Sequence, residues 1–299
     1  MNLAFVIEDS ITGLMTGGVY ALIAVGIVLV FRATKVFNFA HGTVMMVGAY
    51  FYYTIALVLN DLGLGTWAIY FIGVPLTLLA AALFGAVVER IVMRPMLGQH
   101  PFAKIMVTIG LISVLEGGAA VIWSTNAQYP PALVGLTMDF VAGLAVNRQM
   151  LASFLIAGLV FALIAILFLK SKAGVAIRAT ASDQSTAYAM GINVPRVFTV
   201  TWMVAAATGA LAGILLAPLN SLTPVLGQVG LSVIAVVILG GLDSVIGVLL
   251  AAFIVGWLEA MANHFLGGNF KEIVPYVVVL LIILVRPHGL LGTPDVERV

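Results

Sequence analysis

Few residues of this chain could do chemistry, and the most obvious are four histidines. They are His41, His100, His264 and His288. None has a second histidine four residues away, so the paired ligands of a metalloprotease helix are absent. No lysine follows a glycine, which excludes a P-loop, and no G-x-S-x-G sequence occurs. If ATP powers this protein, the nucleotide must therefore bind another chain, and we expect no cofactor on this one.

Two carboxylates lie inside long apolar runs. Glu116 follows "LISVL" and Glu259 follows "VGWL". Carboxylates at membrane depth are costly and tend to face the interior of a helix bundle. Each is either part of a path for substrate or protons, or a hydrogen-bonded group that joins two helices. Asn38 and His41, at the start of another apolar run, either belong to a path or satisfy the backbone at a helix break. All four are candidate residues of a translocation path.

The composition indicates a membrane protein. Only 8% of the 299 residues are charged and the mean hydropathy is +1.19, whereas about 25% of the residues of a soluble domain are charged. Repeated apolar runs of about 20 residues can cross a bilayer, so we predict an all-α polytopic membrane protein. A net charge of +1 gives no sign of a nucleic-acid partner, and the lack of cysteine excludes disulfides and thiolate metal sites.

Nine apolar spans are predicted within a single transmembrane domain that covers residues 1–299. They lie near 11–31, 44–59, 67–88, 103–123, 150–169, 197–217, 226–240, 244–264 and 273–285. The second and the seventh are short, and one of them could be a broken or re-entrant helix. We therefore expect eight or nine transmembrane helices.

Basic residues assign the loops to the two sides of the membrane. If the chain starts outside, nine crossings place the loops 32–43, 89–104, 170–196 and 286–299 in the cytoplasm. These loops hold Arg32, Lys35, Arg90, Arg94, Lys104, Lys170, Lys172, Arg178, Arg196, Arg286 and Arg298, whereas the other side holds Arg148 and Lys271. Basic residues favour the cytoplasmic side, so we predict a cytoplasmic C-terminus. Glu89, at the end of the third span, is expected to be solvated there.

Glycines form two further patterns. Gly13 and Gly17, and again Gly209 and Gly213, have the spacing of tightly packed membrane helices. Two Gly-rich breaks, 38–50 and 239–251, each precede a helix that runs from the cytoplasm outwards. Transporters often contain such internal repeats, although the similarity between these two stretches is weak.

The longest stretch of mixed, partly polar residues is "KAGVAIRATASDQSTAYAMGINVPRV". Ser182 is a predicted N-cap, and Asp183 then lies in the first turn, where a helix favours an anion. Gly191 is predicted to end the helix in the left-handed conformation, and Pro195 to prevent it from continuing. We therefore predict a short helix over 183–190 that lies parallel to the membrane.

This short helix has two open interpretations. Its residues are small or modestly apolar, whereas a solvated loop would carry more charge. Tyr188 and Met190, if exposed, would suit the apolar groove of another protein. Alternatively, the helix packs against the cytoplasmic ends of its own chain.

Four stretches resemble one family of membrane proteins. They are "GGVYALIAVGIVLVFRATKVFNFAHG" (17–42), "VAIRATASDQSTAYAMGINVPRV" (175–197), "AVVILGGLDSVIGVLLAAFIVGWLE" (235–259) and "LVRPHGLLG" (284–292). In this order they resemble the permeases of bacterial branched-chain amino-acid ABC transporters, in particular the LivH-type subunit of the leucine/isoleucine/valine system. Close relatives in that family carry urea, short amides or other amino acids.

The resemblance implies an importer made of several chains. Such a permease pairs with a second, homologous permease, and two cytoplasmic ATP-binding subunits hold ATP and Mg. A periplasmic amino-acid-binding protein delivers the cargo. This chain would then be a multi-pass protein among the lipids of the bacterial inner membrane, and no enzyme. A different class stays open, an ion-coupled carrier or channel that uses Glu116 and Glu259 as a relay.

The resemblance also assigns the loop 171–196 to docking on an ATP-binding subunit. The positions that match the family there are Arg178, Ala179, Asp183, Ala187, Gly191 and Ile192. Tyr188 and Met190 join them as candidates because of their apolar side chains. The family's helix break matches "NFAHG" at 38–42. No substrate pocket comes with the resemblance, so the path residues remain a hypothesis.

Overall fold

Helices dominate the computed structural model, which describes residues 3–141, 144–271 and 273–292. They are α1 (Leu3–Thr34), α2 (His41–Asp61), α3 (Thr66–Met96), α4 (Pro101–Trp123), α5 (Arg148–Lys170), α6 (Lys172–Ser182), α7 (Gln184–Ala189), α8 (Val194–Asn220), α9 (Pro224–Gly240), α10 (Val245–Leu266) and α11 (Ile273–Val285). Two strands, β1 (Met138–Val141) and β2 (Leu144–Asn147), pair antiparallel between α4 and α5.

Seven of these described helices are long and apolar enough to cross a membrane: α1 to α5, α8 and α10. The apolar helices α9 and α11 are shorter. Each of the nine predicted spans overlaps one of these nine helices, so the all-α polytopic class is confirmed. Residues 293–299, which include the predicted cytoplasmic C-terminus, lie outside the described residues.

The second span is not short, contrary to the prediction. Helix α2 has 21 residues and begins at His41, ahead of the apolar run. Its first residues are polar or lack a large side chain, so hydropathy alone omits them. They are nevertheless buried, because α2 enters the bundle against α8 and the first turn of α9. The seventh span, in contrast, is short as predicted, and its first turn, Pro224–Gln228, is a 3-10 helix.

Helices α1, α2 and α8 form the buried centre of the bundle, and α3, α4 and α5 expose much of their apolar surface. The two predicted glycine seams are contacts of this centre. A Cβ on Gly17 would come within 2.5 Å of the Ala252 carbonyl oxygen on α10, and one on Gly213 within 2.7 Å of the Met45 carbonyl oxygen on α2. Glycine at these positions lets the helix backbones touch.

Helix α3 is regular only in its middle. Its segments Ile69–Gly73 and Glu89–Met93 are π-helical, and the residues between them, Val74–Val88, are α-helical. A π-turn inserts one residue and brings positions five apart onto one face.

Candidate functional site

The break before α2 lies in the centre of the bundle. Asn38 and His41 are each only 1% exposed. The Asn38 Oδ1 accepts a hydrogen bond from the backbone N–H of Ala40 at 3.1 Å, so this N–H of the turn has a partner. Among the described residues, Asn38 Nδ2 and His41 Nε2 have no hydrogen-bond partner. The break therefore holds two buried polar nitrogens in addition to the group that caps the turn.

The His41 ring fits between α1 and α8 because glycines face it. A Cβ on Gly26 of α1 would lie 2.6 Å from His41 Nε2, and one on Gly209 of α8 would lie 3.5 Å from the same atom. The Thr208 hydroxyl is also close to Gly26. The ring is thus enclosed in the centre of the bundle by α1, α8 and its own helix α2.

Glu259 joins two helices through a hydrogen bond. It is 2% exposed on α10, and its Oε2 accepts from the Tyr20 hydroxyl of α1 at 2.8 Å. Both residues also line polar cavities at the end of the bundle opposite α6 and α7. Glu259 therefore joins two helices and also faces a cavity, and its role in a translocation path stays a prediction.

Glu116 and Glu259 lie on helices with different neighbours. Helix α4, which carries Glu116, packs against α2 and the first turn of α9, whereas α10 packs against α1, α9 and α11. Glu116 is half-buried, and a Cβ on the adjacent Gly117 or Gly118 would meet nothing within 4 Å. The structure thus places Glu116 beside an open helix face and does not bring the two carboxylates together.

The segment between α5 and α8 contains two helices, not one. Helix α6 includes Arg178 and ends with Ser182, so the prediction of Ser182 as the N-cap of the short helix is wrong by one residue. The Ser182 hydroxyl instead donates to the Arg178 carbonyl oxygen in its own helix, at 3.2 Å. Asp183 is the N-cap of α7, and its Oδ1 accepts from the backbone N–H of Thr186 at 2.7 Å.

Asp183 is held in its ionised form by these contacts. The Ser185 hydroxyl donates to Oδ1 at 2.6 Å, and this bond, followed by the bond from the Thr186 N–H, lowers the pKa of Asp183. A carboxylate at the start of a helix is also favoured by the helix dipole. The sequence predicted Asp183 in the first turn of the helix, whereas Asp183 is the N-cap residue that precedes that turn.

Gly191 ends α7 as predicted, with φ of +84°. Its N–H donates to the Tyr188 carbonyl oxygen, and the N–H of Ile192 donates to that of Ala187, both at 3.0 Å. This pair of bonds is the Schellman motif, which needs a left-handed residue and so favours glycine. Both ends of α7 are therefore fixed by hydrogen bonds.

The two faces of α7 differ. Ala187 is buried in a small apolar cluster with Ala33 of α1 and with Val194 and Phe198 of α8, and Ala179 and Ile192 pack against that cluster. Tyr188 and Met190 are 71% and 79% exposed. One face thus packs on the chain's own helix ends, while the other is open to a partner.

Arg178 turns back towards α5. Its guanidinium donates to the Phe168 carbonyl oxygen and lies 5.5 Å from the centre of the Phe168 ring. Arg178 therefore closes the junction between α5 and α6. Its predicted coupling role would have to act through this junction.

Sequence reasoning missed a buried ion pair on α3. Glu89 was expected to be solvated, and this is wrong, because it is 2% exposed. The Arg94 guanidinium donates to both Glu89 oxygens, at 3.0 and 2.8 Å, and to the Thr199 hydroxyl of α8 at 2.8 Å. The spacing of five residues would have suggested the pair only if the π-turn had been known.

A family model described as "Branched-chain amino acid transport system / permease component" matches residues 10–284. The chain belongs to this family. The resemblance inferred from the four sequence stretches is thereby confirmed, and the match covers every candidate path and coupling residue described above.

Full-length relatives include permeases of this type. The chain is 30% identical to the "High-affinity branched-chain amino acid transport system permease protein LivH" of Salmonella typhimurium, over 99% of this chain and 98% of the relative. It is 29% identical to the corresponding protein BraD of Pseudomonas aeruginosa, over 98% of both chains. It is 26% identical to a probable LivH of Methanocaldococcus jannaschii, over 91% of this chain. No solved structure matches this permease.

Proposed function

We propose that this protein is the membrane permease subunit of a binding-protein-dependent ABC importer for leucine, isoleucine and valine. The full-length similarity to permeases named for branched-chain amino acids carries the proposal. The chain itself would catalyse no bond chemistry and would bind no cofactor. It would lie in the bacterial inner membrane with its C-terminus in the cytoplasm.

The partners of this permease are a second, homologous permease, two cytoplasmic ATP-binding subunits and a periplasmic amino-acid-binding protein. The lack of a P-loop requires that ATP and Mg bind elsewhere. One of the two ATP-binding subunits would dock on the exposed face of α7, where Tyr188 and Met190 project. An exposed aromatic side chain beside a flexible thioether suits an apolar groove.

Helix α7 has one exposed and one buried face, and this arrangement explains how ATP hydrolysis in a partner could be coupled to transport. Movement of a docked subunit would push α7, and the buried contacts of Ala187 with Ala33 and Phe198 would pass the displacement to α1 and α8. These two helices enclose the His41 ring. A force on α7 would therefore reach the centre of the bundle without crossing a flexible loop, because Asp183 and Gly191 fix both of its ends.

Affinity purification of the tagged full-length chain tests this function. We expect two ATP-binding chains, a second permease and a periplasmic binding protein to co-purify, and the reconstituted complex to take up leucine when ATP is inside. Leucine should also bind to the periplasmic protein. Uptake of urea or an amide instead of leucine would show that the importer carries a different cargo. Uptake by this chain alone, abolished by a protonophore and independent of ATP, would show an ion-coupled carrier.

A further inference from the structure

Helix α4 has one face inside the bundle and one face outside it. Leu111 and Ala119 are buried, whereas Ser113, Gly117 and Val121, on the opposite side of the helix, are exposed. We call these three residues the outer face of α4. A Cβ on Gly117 would meet nothing within 4 Å, so the space beside the outer face is open in the part of the chain that the structure describes.

Glu116 lies at the edge of the outer face, at membrane depth. It is about 22 Å along the helix from Pro101 and about 10 Å from Trp123. Because α4 is about as long as the hydrocarbon core is thick, roughly 30 Å, the carboxylate lies inside the core and not at the lipid headgroups. Exposed valines lie on both sides of it along the helix, Val114 at 67% and Val121 at 87%.

The Glu116 carboxylate has no protein partner within residues 3–141, 144–271 and 273–292. It takes part in none of their side-chain hydrogen bonds and ion pairs. Carboxylates at this depth are costly, and they almost always face the interior of a bundle and pair with another group. Glu116 is only half-buried by its own chain. The bundle therefore does not complete the surroundings that this residue requires.

The other two long helices that expose much apolar surface carry no such group. Helix α3 has no charged residue over 66–88, and α5 has none between Arg148 and Lys170. Their exposed side chains include large aliphatic ones such as Leu83 and Leu159. These side chains suit contact with lipid tails, whereas the outer face of α4 favours contact with another protein.

We propose that the outer face of α4 is the interface with the second permease subunit, an inference that rests on the proposed function and refines it. Of the partners in that importer, only the second permease has helices at membrane depth. One of these helices packs over Ser113 and Gly117, whose small size lets two backbones approach closely. A side chain on the same helix donates a hydrogen bond to the Glu116 carboxylate.

Site-specific photo-crosslinking tests this interface in the complex that co-purifies with the full-length chain, in lipid nanodiscs. The probe is p-benzoylphenylalanine at Val121, and the control position is Leu159, an exposed residue of α5. Mass spectrometry identifies the crosslinked chain, which we expect to be the second permease for Val121 only. A crosslink from Val121 to a second copy of this chain or to lipid alone would overturn the interface. Equal or stronger crosslinking from Leu159 would overturn it too.

Two glycine variants separate binding from folding. Gly117→Leu on α4 and Gly158→Leu on α5 each add a side chain where nothing lies within 4 Å, so the full-length chains alone should melt at similar temperatures in detergent. Only Gly117→Leu should keep the second permease at a distance. We expect it to reduce the amount of co-purified second permease by about tenfold, as for an overpacked contact. Equal amounts for the two variants would contradict the interface.

Glu116 is tested by association in the membrane, measured as energy transfer between labelled permeases when the complex is diluted into lipid. Glu116→Leu should weaken the association about threefold to tenfold, as for one hydrogen bond between membrane helices. Glu116→Gln keeps a hydrogen-bond acceptor and should retain most of it. Unchanged association in Glu116→Leu would reject its role. A second permease that crosslinks elsewhere would reject the interface alone, whereas the lack of any second permease would reject the proposed function.

Discussion

The Glu89 carboxylate and the Arg94 guanidinium meet through two hydrogen bonds, of 3.0 and 2.8 Å, across the second π-turn of α3. The Thr199 hydroxyl donates to the same carboxylate at 3.0 Å and so ties the pair to α8. Glu89 is buried, whereas the Arg94 side chain is 34% exposed. Arg94 therefore compensates a charge that would otherwise be isolated at the end of the bundle where α7 and α8 meet.

Loss of Arg94 should destabilise the protein through Glu89. We expect Arg94→Met to lower the free energy of unfolding by about 3 kcal/mol, near the low end for breaking a buried pair because Arg94 is partly exposed. The double variant Glu89→Gln/Arg94→Met should recover part of this loss. Thermal unfolding in detergent measures both. Arg90→Met is the control, since Arg90 is exposed in the adjacent turn, and an equal effect there would contradict the assignment.

Gly256 should tolerate no larger residue, because α1 and α10 touch at this point. A Cβ on Gly256 would come within 2.6 Å of the Gly17 backbone nitrogen. Gly256→Ala is therefore expected to lower the free energy of unfolding by about 1–3 kcal/mol, the usual cost of overpacking. Gly110→Ala on α4 is the control, as nothing lies within 4 Å of that position. Equal melting temperatures for the two variants would disprove the close contact.

Replacement of Gly191 should uncouple transport from ATP hydrolysis. Proline fixes φ near −65° and removes the N–H that bonds to Tyr188, so Gly191→Pro should open the end of α7 at a cost of about 1–3 kcal/mol. In proteoliposomes of the complex, we expect ATP hydrolysis to persist while leucine uptake falls. Gly63→Pro is the control, because Gly63 also has a positive φ but lies between α2 and α3. Normal uptake by Gly191→Pro would refute the role of α7 in coupling.

The cap of α7 should depend on pH through Asp183. Hydrogen bonds from Ser185 and from the Thr186 N–H lower its pKa in the folded protein below the usual value of about 3.9. A lowered pKa means that the ionised cap stabilises α7 above about pH 4, and that this contribution is lost as the pH falls through the lower, folded value. Hydrogen exchange at the Thr186 amide measures this loss. We expect its protection factor to decrease as the pH is lowered from 5 to 3.

Asp183→Asn gives the comparison for this titration. Asparagine caps a helix about as well as aspartate but does not ionise in this range. Its protection factor at Thr186 should therefore stay flat over the same pH values. A parallel decrease in both proteins would assign the effect to another group.

The helical class and the nine apolar segments follow from hydropathy, because burial in lipid demands long apolar runs. The start of α2 could not be predicted in this way, since His41 and Gly42 look like loop residues until α8 and α9 are seen to enclose them. The N-cap of α7 was misplaced by one residue for a different reason. Serine and aspartate are both good caps, and only the backbone of Asp183, extended at φ −158°, decides between them.

The site was less predictable than the fold. Glu259 and His41 were identified as polar residues at membrane depth, but their surroundings depend on long-range contacts with α1 and α8. Lys271 looked like an ordinary loop residue, because only the packing of α1, α5 and α10 makes a cavity beside it. Glu89 was misjudged because its partner lies five residues away, a distance that an α-helix does not bring together.

The glycine contact between α1 and α10 limits how this protein can move. Helices whose backbones touch over Gly13, Gly17 and Gly256 have no room to slide or to roll against each other. We therefore expect α1 and α10 to move together if the bundle changes shape. Helix α3 is suited to bending, since its two π-turns interrupt the regular α-helical hydrogen bonds and π-bulges are common positions of kinks.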